Sequence, residues 1–174
     1  RVTLVTGPTA IPLPHGLIET VRAETAFEMQ EAVLPRARAQ DVIVQSAAIA
    51  DFRPAQVAPH KIKKSQGIRA IELVPTQDFS ITLGEQKPAG QTLVGFAAET
   101  EKMEEHALAK LRAKNLDLLV ANDITRPGAG FEVDTNVVTF YLPGSLPESL
   151  PLQSKRAVAD AIWDRIVAFR TPKL

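Results

Sequence analysis

The chain has 174 residues, 45% hydrophobic and 23% charged, and its 20 basic side chains balance 20 acidic ones. A chain of this length can bury a sizeable single core, and its neutral balance argues against a general nucleic-acid binder, which would be strongly basic. The lack of cysteine excludes a disulfide framework, thiolate metal ligands and a cysteine nucleophile, and no apolar run reaches the roughly 20 residues of a membrane span.

Arg1-Val-Thr-Leu-Val-Thr6 opens the chain as a buried strand, stopped by Gly7-Pro8. No Met precedes Arg1 and no basic-then-apolar leader is present. We therefore expect a cytoplasmic, soluble domain over residues 1–174 that begins part-way into its fold. Thr25 and Glu28 have capping-box spacing and announce a helix, with Phe27, Ala32, Val33 and Leu34 on one side and Pro35 limiting or kinking it. Asp41–Ala47 is a second apolar strand, Thr92–Ala97 a third, Leu116–Ala121 a fourth and Val137–Leu142 a fifth. A helix from Glu101 to Lys114 carries Met103, Ala107, Leu108 and Leu111 on one stripe. A last helix, Ser154–Phe169, carries Val158, Ile162, Ile166 and Phe169.

Strands that are continuous apolar runs, alternating with helices, predict an α/β fold: a Rossmann-like, mostly parallel sheet with helices on both faces. The stretch from Pro54 to about Pro75 breaks the alternation and reads as an inserted β-arm, of a kind that packs on a partner subunit.

Open parallel sheets bind ligands beyond the carboxyl ends of their strands. That directs attention to Thr6–Thr9, Ala47–Asp51, Phe96–Thr100 and Asn122-Asp123. In Ala47-Ala-Ile-Ala-Asp51, small residues admit a ligand close to the backbone; Asp51 suits a ribose hydroxyl or Mg²⁺, with a helix cap as the alternative. Lys61-Ile-Lys-Lys64 concentrates positive charge that an anion would relieve, though a solvated basic turn also explains it. Lys110 and Lys114 stand at i and i+4, where like charges weaken a helix by roughly 0.2–0.5 kcal/mol; they suit a shared phosphate chain or a solvent-facing stripe. Phe96 suits a base or the core. His15, His60 and His106 lack metal-ligand spacing and read as surface residues. Neither a Gly-x-x-x-x-Gly-Lys-Ser/Thr loop nor Gly-x-Gly-x-x-Gly is present.

Five stretches then fall in one order: Ala47-Ala-Ile-Ala-Asp-Phe-Arg-Pro54, Lys61-Ile-Lys-Lys64, Gly95-Phe-Ala-Ala-Glu-Thr100, Lys114-Asn-Leu-Asp-Leu118 and Ala121-Asn-Asp123. The chain resembles the bacterial phosphopantothenate–cysteine ligases, the synthetase half of a bifunctional coenzyme A biosynthesis protein, over nearly its whole length. The resemblance implies joining of 4′-phosphopantothenate to L-cysteine with CTP and Mg²⁺. The carboxylate attacks the α-phosphate of CTP, giving an acyl-cytidylate and pyrophosphate; the cysteine amine then displaces CMP. It implies a homodimer built through the arm, and a flavin-dependent decarboxylase domain fused or assembled with this one. No nucleic acid or membrane partner is implied, and the metal ligands stay open.

Carried over residue by residue, Lys61 is the catalytic lysine at the nucleotide phosphates. Gln45, Ser46 and Ala47 line the cytosine pocket, Asp51 faces the ribose or metal, Phe96 lies against the nucleotide, and Lys110 and Lys114 hold CTP. The family's Lys-Asn-Pro-Asp-Ile loop is Pro75-Thr-Gln-Asp78-Phe79 here, so Asp78 is kept as a contact and Phe79 stands in the last position. The family's first strand, its Gly-rich segment and its Asn-Arg-Ser-Ser-Gly motif belong ahead of Arg1; without them, weak CTP binding and little turnover are expected. The alternatives are an NAD(P)-dependent oxidoreductase on a similar sheet, and a non-catalytic nucleotide-binding or dimerisation module. Tyr141 has Ser145, not Lys, four residues on, which counts against a short-chain dehydrogenase pair.

Overall fold

The computed structural model describes all residues except 64–66, 68–69, 100–102, 124, 127, 131–132 and 172–174, and the side chains of 99 and 103. Lys64, Thr100, Glu101 and Lys102 of the motifs and helix above therefore lie outside the described residues. The chain forms two compact units, one of Arg1–Pro35 with Ala47–Phe79 and one of Arg36–Ser46 with Ser80–Leu174.

In the first unit, β1 (Thr3–Thr6) pairs in parallel with β2 (Glu19–Arg22), Thr3 opposite Glu19. β2 is not legible in the sequence: Glu-Thr-Val-Arg is short, polar and half-exposed. Helix α1 (Ala26–Ala37) begins as expected. The Glu28 N–H donates to Thr25 Oγ1 at 3.1 Å, and the Glu28 carboxylate accepts from the Glu24 N–H at 2.8 Å, one residue earlier than a standard capping box. Met29 and Ala32 are the buried positions, whereas Phe27 is 69% exposed. Pro35 stays inside the helix rather than ending it. At the bounds of the stretch read as an arm, a short antiparallel pair starts two residues earlier, at Phe52. β4 (Phe52–Pro54) pairs antiparallel with β5 (Leu73–Pro75), and bonds from the Ala55 N–H to Glu72 O and from the Thr76 N–H to Asp51 O extend the pairing.

The second unit holds the central sheet. β3 (Val42–Gln45), β6 (Thr92–Glu99) and β7 (Leu118–Asp123) run parallel. β9 (Val138–Tyr141) is antiparallel to β7, and β10 (Glu148–Ser149) is antiparallel to β9, giving the order β10-β9-β7-β6-β3. Four of the five strands thus share one direction. Two-residue strands β8 (Thr135–Asn136) and β11 (Gln153–Ser154) form a separate ladder. On one face Val94, Leu118, Val120, Val138 and Phe140 pack with Val158, Ile162 and Ile166 of helix α4 (Lys155–Arg170). Phe169, expected on the same stripe, is 40% exposed. Alternation turns Leu93, Leu119 and Tyr141 to the other face, where helix α3 (Met103–Ala113) buries Ala107 and Leu111 against β6, β7 and β9. Both helices bury one stripe because each covers an apolar sheet face with solvent behind it.

Helix α2 (Phe79–Glu85) escapes the sequence reading, since Ile81, Thr82 and Gly84 are poor helix formers in only seven residues. Tertiary contacts fix it. The Asn115 side-chain amide donates to Gly84 O at 2.9 Å, and Lys87 Nζ donates to Asn115 O at 2.7 Å and to both oxygens of Asp117 at 3.0 Å.

Candidate functional site

The carboxyl edge of the second unit is set by unequal strand lengths. β3 ends at Gln45 opposite Gly95, but β6 continues to Glu99, paired with β7 through Glu99↔Asp123. The third strand, read as ending at Ala97, runs on to Glu99, and Asn122-Asp123, read as following the fourth strand, lie inside β7. The residues are small or polar, which weakened the apolar signal at the strand ends. Gln45 is half-buried at the tip of β3 and Ser46 is exposed beside it. Phe96 is half-buried on the α4 face and packs against the cluster of Val94, Val120 and Val158.

Asp123 closes β7 with a built network. Its carboxylate accepts from Thr125 Oγ1 at 2.6 Å, the Thr125 N–H at 3.1 Å and Arg126 Nε at 2.9 Å. The Thr125 hydroxyl chiefly, with Arg126 assisting, holds the carboxyl below its ordinary range against the opposing effect of burial. Downstream, Asn136 Oδ1 accepts from the Gly130 N–H at 3.3 Å and the Val137 N–H at 3.0 Å. Thr135 Oγ1 donates to Gly128 O at 2.6 Å. The loop after β7 is thus tied to its own strands. On the opposite face, burial and nearby Glu104 push the Tyr141 phenol up, so it is neutral at ordinary pH.

Lys110 and Lys114 are half-buried and engaged in interactions. They do not stand at the carboxyl edge. A crossover helix runs antiparallel to its strands, so its last turn delivers the chain to the start of the next one. The Asp117 N–H donates to Leu93 O, near the start of β6, which puts Lys114 at the amino edge. The sheet also separates the α3 face from the Phe96 face.

In the first unit Ala47, Asp51 and Lys61 are exposed, as are His15 and His60. Asp78 is exposed yet engaged in an interaction. Phe79 is 1% exposed, so its ring belongs to the interior and only its backbone is left for a ligand. Among the described residues no group of three or more His, Cys, Asp or Glu side chains is placed to hold a metal ion, and no helix is long and apolar enough to cross a membrane.

Residues 1–169 match the family model for the DNA/pantothenate metabolism flavoprotein C-terminal domain. The chain belongs to that family. Within it, the chain is 46% identical over 168 residues to the coenzyme A biosynthesis bifunctional protein CoaBC of Bacillus subtilis, covering 97% of this chain and 41% of the relative. It is 38% identical over 167 residues to a cysteine/cysteine sulfinic acid decarboxylase from an unknown prokaryotic organism, covering 96% of this chain and 46% of that protein. The chain therefore spans less than half the length of these family members. A crystal structure of the C-terminal domain of CoaBC aligns with a TM-score of 0.76 at 40% identity, covering 94% of this chain and 71% of that one. The mixed α/β fold with its mostly parallel sheet is the fold of this family.

Proposed function

We propose that the chain is the synthetase domain of a phosphopantothenate–cysteine ligase in coenzyme A biosynthesis. The observation that carries this reading is the 46% identity to CoaBC across 97% of the chain, together with five motifs in the ligase order. In this reading CTP activates the phosphopantothenate carboxylate as an acyl-cytidylate, pyrophosphate leaves, and the cysteine amine displaces CMP to form the amide.

Lys61 supplies charge stabilisation to the triphosphate, where positioning and electrostatics provide most of the catalysis. The segment from Gln45 through Ser46 and Ala47 to Asp51 takes the nucleoside. Asp78 and the Phe79 backbone are secondary contacts, and roles for Phe96, Lys110 and Lys114 rest on resemblance alone. Mg²⁺ is usually held by one or two carboxylates together with the substrate's phosphates; Asp51 is the carboxylate we assign to it. The arm exposes Phe52, Val57, Ile62, Ile71 and Leu73, an apolar surface that supports a homodimer. A flavin-dependent decarboxylase partner domain accompanies the synthetase.

The test uses the chain alone and with the family's Asn-Arg-Ser-Ser-Gly segment joined ahead of Arg1. Phosphopantothenate, cysteine, CTP and Mg²⁺ are supplied, and pyrophosphate and amide are measured. Stoichiometric release of both supports the ligase; amide formation in neither form rejects it. The decarboxylase named among the relatives favours a second reading, which predicts CO₂ release from cysteine with no nucleotide consumed.

A further inference from the structure

The side chains of β3 do not encode its register. Val42-Ile43-Val44 is apolar throughout, so a slip of one residue would exchange one β-branched side chain for another on each face while turning Gln45 over. Among the described residues β3 has β6 as its only ladder partner, and no second strand resists such a slip. The residue standing at its amino end is Arg170. Val158, Ile162 and Ile166 of α4 pack on the sheet, and the same four-residue step continues to Arg170, where the strands begin. There hydrogen bonds replace apolar contact. Arg170 Nη1 donates to Asp41 O at 2.9 Å and to Gly90 O at 2.6 Å, and Nη2 donates to Asp41 Oδ1 at 3.3 Å.

Asp41 immediately precedes β3, and Gly90 stands just ahead of β6. One side chain thus ties the starts of both strands. The Asp41 carbonyl also accepts from the Thr92 N–H at 2.9 Å, so both of its lone pairs are used in this register. A one-residue shift of β3 would break both bonds. The Asp41 carboxylate is 89% exposed, so the ion pair adds little and the carbonyls carry the pin. The entry to β3 is held as well: Gln91, 8% exposed, donates from Nε2 to Ala37 O at 2.7 Å and to Gln40 O at 2.6 Å, which fixes the turn leading from α1 to Asp41. A register set at one end of a strand holds at the other. Roughly 13 Å further on, the same pairing puts Gln45 opposite Gly95 and Ser46 just past the tip.

We propose that Arg170 is a positioning residue for nucleotide binding: it pins the register of β3 at the amino edge and thereby sets where Gln45 and Ser46 stand at the carboxyl edge. The inference rests on the ligase reading, which gives those two residues to the base. A guanidinium suits the task because its planar fork reaches several acceptors at fixed angles, whereas an ammonium is a point charge on a flexible stem.

The experiment compares the chain with its Arg170→Met and Arg170→Lys variants, with and without the upstream segment. Amide hydrogen exchange is read for the β3 amides that bond to β6, with Leu118–Ala121 of β7 as the internal control. KM and kcat are read for CTP and for phosphopantothenate, and thermal shifts with CTP alone. In Arg170→Met, protection in β3 should fall about 10-fold or more while β7 keeps its own. The KM for CTP should rise about 3- to 10-fold with kcat changed less, the CTP thermal shift should shrink, and the KM for phosphopantothenate should stay unchanged. Arg170→Lys should fall between the parent and Arg170→Met; should Arg170→Met not fold, the lysine variant decides by the same criteria. Protection lost equally in β3 and β7 marks a purely structural side chain and overturns the proposal, as does a loosened β3 with CTP binding unchanged. A parent that binds CTP but forms no amide counts against the ligase reading and leaves the comparison of CTP thermal shifts intact.

Discussion

Gly84 packs directly beneath the backbone carbonyl of Lys114. A Cβ built on Gly84 would overlap the Lys114 carbonyl oxygen and carbon and crowd Asn115. Two backbones in contact cannot yield as a flexible side chain can, so Gly84→Ala must move α2 away from the end of α3. The expected loss is about 3 kcal/mol. Urea denaturation should show a lower midpoint with an unchanged slope; a midpoint equal to that of the parent would show that the helix moves freely.

The same junction is tied by Asp117. Its carboxylate accepts from Lys87 Nζ and, at 2.7 Å, from the Leu93 N–H, joining the start of β7 to β6. Asp117→Ala leaves both donors short of an acceptor, one of them a charge 12% exposed. A loss of roughly 2–4 kcal/mol is expected. Lys87→Met should cost less, because it removes the charge and leaves an apolar stem. Equal losses in the two variants would contradict this ranking.

These junction residues also show what the sequence could convey. Lys114-Asn-Leu-Asp-Leu118 was legible as a motif, yet its conspicuous lysine sits at the amino edge while Asn115 and Asp117 brace α2. The long strands and helices were legible because burial imposes a period: Val158, Ile162 and Ile166 are buried as their spacing requires. β2 and α2 were not, because their residues do not favour those states locally and only pairing or packing selects them. At the site, Asn122 and Asp123 were visible as polar residues after a strand. What distinguishes them is which face each takes and which partners each has, and neither property is encoded in spacing. Lys61 stood out in the sequence through its basic cluster, and in the structure it is exposed.

Lys61→Gln should leave folding intact, since the side chain is exposed. If Lys61 stabilises charge on the reacting phosphate, turnover should fall by roughly 100-fold or more. Pyrophosphate release beside a melting curve checks both halves. A normal rate with a normal melting curve removes Lys61 from the catalytic role.

Ser154 accepts a hydrogen bond from the Ala157 N–H at 3.1 Å and caps α4. Ser154→Ala should cost about 1 kcal/mol, and Ser154→Asp should recover most of it through the helix dipole. Thermal melts of the three proteins decide this.

Asp123 supplies a pH-dependent test. Its folded carboxyl titrates below its ordinary value of 3.8, chiefly because the Thr125 hydroxyl donates to the anion. A lowered folded pKa means the unfolded chain binds the proton more readily, so the stabilisation is fully present above the unfolded value. It is lost as pH falls through the folded one. Asp123→Asn removes the charge that Thr125 and Arg126 serve. The parent should therefore melt above the variant at pH 7, and the gap should narrow below about pH 4. A gap that stays constant from pH 7 to pH 3 would mean that the loop is held by shape rather than by the ionised carboxylate.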